Sequence, residues 1–132
     1  MVRKITTDLE AAKARTLELR KRRDDAAATL REAGYSSAEL AEKTTVQASR
    51  VRHYVTAGEV SSEYTTVQDF VDAYEAWEYE DARASRLRAE RDQLIIEALD
   101  SGKVQNEVAA EFGVSQFLVS YTHRHRGEVT LL

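Results

Sequence analysis

Sliding the chain against itself by 68 residues, without a gap, sets Arg15, Arg20, Arg23, Asp24, Gly34, Glu39, Ala41, Val46 and Val51 onto Arg83, Arg88, Arg91, Asp92, Gly102, Glu107, Ala109, Val114 and Val119. Leu40 falls on Val108 as a conservative match. A duplicated segment constrains the fold more than composition does, because whatever the first copy forms the second must also be able to form. Proline is absent from the 132 residues and glycine occurs five times, so no pyrrolidine ring interrupts a helix.

In the first copy Ile5, Leu9, Ala12, Thr16, Leu19, Arg23, Ala26, Leu30 and Ala33 recur at steps of three and four, which is the seam of one long helix. Gly34 stands where a helix ends. Ser36-x-x-Glu39 is a capping box, in which hydroxyl and carboxylate satisfy orphan amides at the start of a short helix over about 37–43. Thr44-Thr45-Val46 connects it to a third helix over about 47–56, with Gly58 behind.

After a loop at 59–65, either Thr65-x-x-Gln68 or Thr66-x-x-Asp69 opens a helix whose inner face begins Val67, Phe70, Val71, Tyr74, Trp77. The pattern fades after Asp81 and resumes at Leu94, Ile95, Ala98 and Leu99. That leaves open one helix of about 50 Å or two helices with a bend. Gly102, a helix near 105–112, a turn at Gly113 and a last helix over about 115–125 repeat the first plan.

The segment Gln105–Arg124, QNEVAAEFGVSQFLVSYTHR, resembles the helix-turn-helix of bacterial DNA-binding regulators. Ala109 is the small residue that lets the second helix cross closely, Gly113 the turn, Val108, Phe112, Val114 and Val119 the apolar contacts, and Ser115 the N-cap. Thr122 departs from the pattern and is expected to loosen the end of the last helix. The first copy, Ser37–Thr56, fits through Leu40, Ala41, Val46, Val51 and Tyr54, but Thr44 and Thr45 replace the apolar and glycine positions. A β-branched residue is awkward at positive φ, so the expectation there is a different turn or a strained one. With the long helix in front, each copy is similar to tandem helix-turn-helix regulators of the actinobacterial and actinophage type.

The resemblance implies an all-α chain with two helix-turn-helix units, each preceded by a long helix, divided as 1–58, a loop at 59–65, and 66–132. It implies double-stranded DNA as partner, with each unit's last helix in the major groove. By motif position the base readers are Gln47, Ala48, Ser49, Arg52 and His53, and Ser115, Gln116, Phe117, Ser120 and Tyr121. Amide side chains suit adenine, arginine suits guanine, and Phe117 or Ala48 suits a thymine methyl. Ser36, Ser37, Arg50, Thr56, Gln105, His123, Arg124 and Arg126 are placed for phosphate. The two sets differ at nearly every outward position, so the expected site is asymmetric and bound by one chain, as a repressor or other transcriptional regulator would bind it. The alternatives are a homodimer through the long helices with one reader, acting in recombination, partition or packaging, and a protein adaptor of the anti-repressor or antitoxin kind.

The net charge of −4 fits that reading only through its distribution. Between Glu59 and Asp81 there are eight acidic residues and no Lys or Arg. Basic residues gather at Arg20–Arg23 and at His123–Arg126, where they can face a polyanion. The acidic stretch reads as the solvated face of a helix that buries Phe70, Tyr74 and Trp77.

The chain has no cysteine, which removes disulfides, thiolate metal sites and cysteine nucleophiles. Glycine-rich phosphate loops, paired carboxylates in apolar settings and nucleophile elbows are missing from the sequence. His123 and His125, two apart on a helix, diverge and suit no shared metal. The expectation is therefore a non-enzyme without cofactor, metal or small-molecule ligand. No membrane association is expected, and the location expected is the cytoplasm, with the nucleoid.

Overall fold

The computed structural model describes residues 2–128, and among these there is no strand. Six α-helices follow one another: α1 (Val2–Glu32), α2 (Ser37–Glu42), α3 (Ala48–Ala57), α4 (Val67–Asp100), α5 (Gln105–Phe112) and α6 (Gln116–Arg124), then a 3-10 turn at Arg126–Glu128. The chain is all-α. The stretch after Asp81 is one helix with the stretch before it, 34 residues long, or about 51 Å at 1.5 Å per residue. No helix among the described residues is long and apolar enough to cross a membrane.

The repeat is visible in the backbone. Both long helices end 68 residues apart, at Glu32 and Asp100, and α2 and α3 begin 68 residues before α5 and α6. The same pair of bonds closes each long helix: Gly34 N and Tyr35 N donate to Arg31 O and Leu30 O, while Gly102 N and Lys103 N donate to Leu99 O and Ala98 O. These are Schellman closures. Leu19 and Leu87 are a further identical pair at this spacing.

The helices assemble two compact units, and these do not follow the linear order 1–58 and 66–132. One is contiguous, residues 14–81; the other joins residues 1–13 to residues 82–132. In the first, here the α3 unit, Ala26, Ala27, Leu30, Leu40, Val51, Tyr54, Phe70, Ala73 and Tyr74 form the core, with Tyr64 and Trp77 against it. In the second, the α6 unit, Ile5, Ile95, Val108, Ala109, Phe112 and Val119 form the core, and Leu9, Ala12 and Ala84 form a smaller cluster. Each core is therefore completed by the opening turns of the other copy's long helix. Phe70 and Phe112, at 0% and 1% exposure, each contribute on the order of 3–5 kcal/mol by the usual cost of truncating a buried aromatic.

Every residue of the α1 seam is buried except Ala33, which lies beyond the last helical turn at the closure. Thr66 and Asp69 open α4 reciprocally: Asp69 N donates to Thr66 Oγ1 at 3.3 Å, and Thr66 N and Thr65 N donate to Asp69 Oδ2 at 2.9 and 2.7 Å. These bonds stabilise the carboxylate and hold Asp69 below the usual carboxylate range.

Candidate nucleic-acid interface

Each unit carries a pair of short helices joined by a tight turn, and the two turns solve the same problem differently. Gly113 closes α5 at φ 70°, ψ 35°, a left-handed conformation that glycine adopts without cost. At the matching position Thr45 would be strained, and no residue other than glycine has positive φ among those described. Lys43 instead caps α2 at φ −90°, ψ 2°. The Thr44 hydroxyl then bridges the turn, donating to Ala41 O at 3.2 Å and accepting from Val46 N at 3.2 Å. The turn thus has another geometry, without strain.

Local bonding fixes the short helices. Ser36 and Glu39 form the full capping box, with Glu39 N donating to Ser36 Oγ at 3.0 Å and Ser36 N donating to Glu39 Oε1 at 3.1 Å. Ser115 Oγ accepts from Leu118 N at 3.1 Å. At the end of α5, Arg3 Nη2 donates to Ala110 O at 2.8 Å and Thr6 Oγ1 to Phe112 O at 2.6 Å, filling carbonyls the helix itself leaves open.

On α3, Val51 and Tyr54 point into the core, and Gln47, Ser49, Arg50, Arg52, His53 and Thr56 are exposed, with Ala48 half-buried. Arg50, Arg52 and His53 form no side-chain hydrogen bond or ion pair within the described residues. The Thr56 hydroxyl donates to Arg52 O at 3.0 Å. Ser36 is occupied by its capping box, and Ser37, expected at phosphate, is buried at 8% exposure in the first turn of α2. That correction follows from the cap, which places the next side chain inward.

On α6, Val119 and Thr122 point inward. Thr122, at 3% exposure, closes the core and does not loosen the helix. Ser115, Gln116, Phe117, Tyr121, His123 and Arg124 are exposed, while Ser120 and Gln105 are half-buried. Arg126, also expected at phosphate, donates from Nη2 to both carboxylate oxygens of Asp100, at 2.5 and 2.6 Å. An aromatic row missed by the motif reading runs along this helix: Phe117 and Tyr121 have ring centres 6.5 Å apart, and Tyr121 stacks on His125 at 4.1 Å.

The basic run Arg20–Arg23 is largely occupied. Arg23 is buried and Lys21 pairs with Asp25 at 2.8 Å. Asp24, which takes the Arg23 guanidinium, is raised above the usual carboxylate range by burial, against the pull of Arg23. Among the described residues no three His, Asp or Glu side chains come together as a metal site. Compared with known proteins, the chain matches no family model, no curated protein and no solved structure.

Proposed function

We propose that the chain binds double-stranded DNA sequence-specifically, with α3 in the major groove, and regulates transcription from the site it occupies. One observation carries this reading. α3 presents Arg50, Arg52 and His53, all uncommitted, on a face with no acidic residue from Gln47 to Gly58, and is anchored behind by Val51 and Tyr54. Arg52 is the bidentate guanine reader, Gln47 the adenine reader and Ala48 the contact to a thymine methyl. Arg50 and Thr56 meet phosphate and set the register.

The 68-residue offset of α5–α6 from α2–α3 favours a second reading, in which α6 reads a second, different half-site through Ser115, Gln116, Phe117, Ser120 and Tyr121. Selection from random duplexes, with the mass of the complex measured, tests both. Enrichment of a half-site lost on Arg52→Ala and His53→Ala supports α3 as reader. An asymmetric bipartite consensus on one chain adds α6. Absence of any enrichment overturns DNA reading.

A further inference from the structure

The α6 unit exposes three large apolar side chains, and all three lie in its short helix pair or at that pair's start: Val104 at 54%, Phe117 at 73% and Tyr121 at 46%. Their 68-residue counterparts are Ser36, Ser49 and His53. The same face is polar in one copy and aromatic in the other. His125 extends the row by stacking on Tyr121, and Arg124 stands exposed beside it without an ion pair. Large solvated side chains in contact, rimmed by positive charge, are the usual mark of an association surface rather than of a solvated helix.

A surface of matching chemistry exists in the α3 unit. Along the outer face of α4, Asp72, Glu75 and Tyr79 follow at helical spacing, all exposed, with Tyr79 at 65%. It is the acidic stretch of the sequence, and it holds one large apolar group among carboxylates. Aromatic with basic on α6 meets aromatic with acidic on α4.

We propose that the Phe117–Tyr121–His125 face of one copy takes the Asp72–Glu75–Tyr79 face of a second copy, so that copies of the chain join head to tail. The contact is heterologous: each copy offers a different surface and keeps one of each kind unused, so association continues beyond two unless a ring closes. It needs no DNA and does not depend on α3 being a reader. Its charge component weakens as salt rises.

Sedimentation of the full chain, without DNA, from about 1 to 100 µM is the test, a range in which weak contacts between folded proteins are read. The expected result is a mean mass that rises with concentration to at least twice 14.9 kDa and falls back in high salt. Phe117→Ser with Tyr121→His removes one face by installing the residues of the other copy; Glu75→Lys with Tyr79→Lys removes the other. Each double variant alone is expected to stay monomeric with an unchanged melting temperature. Mixed, the two are expected to form a one-to-one dimer that grows no further. A wild-type mass that stays monomeric throughout overturns the proposal. So does an unchanged association of the Phe117/Tyr121 variant, or a variant that loses affinity for a selected duplex while its self-association is intact, since the face then meets DNA.

Discussion

The guanidinium of Arg23 lies 3.7 Å from the ring centre of Tyr54, and it does so while Nε and Nη2 both donate to Asp24 Oδ1 at 3.0 and 2.9 Å. Trp77 covers it at 4.3 Å. The buried charge thus has a carboxylate at its edge and two rings on its faces, which is how arginine is accommodated out of water. Arg91 makes the same two bonds to Asp92 Oδ1, at 3.1 and 3.0 Å, but Thr122 and Leu9 stand at the positions of Tyr54 and Trp77.

Removing these arginines is expected to destabilise both units, because each carboxylate loses its partner. Arg23→Ala is expected to cost about 3–5 kcal/mol, the range for breaking a buried pair. Arg91→Ala is expected to cost about 1–2 kcal/mol less, since it forfeits no cation–π contact. Denaturant titration of the two variants checks the order; equal losses would mean that the rings over Arg23 contribute nothing.

Gly58 is required for space. A Cβ there would stand 2.0 Å from Asp24 O and 2.3 Å from its carbonyl carbon, both backbone atoms. Gly58→Ala is expected to cost at least about 1–3 kcal/mol as overpacking. Gly127→Ala meets nothing within 4 Å and is the control. Comparable melting temperatures for the two variants would contradict the close approach of α1 to the end of α3.

Asp69 gives the pH dependence a sign. Its folded pKa is lowered by the Thr65 and Thr66 amides, so its contribution is full above the unfolded value near 3.8 and is lost as pH falls through the lower folded value. Asp69→Asn is therefore expected to be less stable than wild type at neutral pH, and the gap to narrow below pH about 4. Melting curves of the pair across that range check it, and a gap that widens on acidification would reverse the assignment. The comparison cancels Asp24, whose raised pKa acts in the opposite direction.

On α3, Arg50 and Arg52 are expected to behave differently toward DNA. Arg50→Ala should weaken binding evenly across sequences and reduce the salt slope by about one, as loss of a phosphate contact does. Arg52→Ala should relax preference at one base pair by about 1–3 kcal/mol. Affinities for the selected site and its single-base variants, at two salt concentrations, separate the two effects; identical profiles would remove Arg52 from the base edges.

Much of this architecture is legible in the amino-acid order because local chemistry repeats it. The α1 seam from Ile5 to Leu30, the Ser36–Glu39 box, Gly113 and the Ser115 cap all lie within one turn of the residues they act on. What the order does not reveal depends on distant partners. Arg126 looks free for phosphate until Asp100 is beside it, and Ser37 looks exposed until the cap turns it inward. The basic run loses Arg23 to Tyr54 and Trp77, residues 31 and 54 positions away. The division into 1–58 and 66–132 follows chain order, whereas packing sends residues 1–13 to the far end of the sequence. The aromatic row on α6 was readable in principle, since Phe117 and Tyr121 fall on Ser49 and His53.

That division also sets an order in time. The α3 unit is contiguous, so every group in its core is present once residue 81 has been made. The α6 unit cannot close until Ile5 meets Phe112 and Val119, across more than a hundred residues, and Thr6 reaches the Phe112 carbonyl over a separation of 106. Contacts of that span are slow because the chain must be ordered before they reward it. During synthesis the first turns of α1 must therefore wait, apolar side uncovered, for the last sixth of the chain.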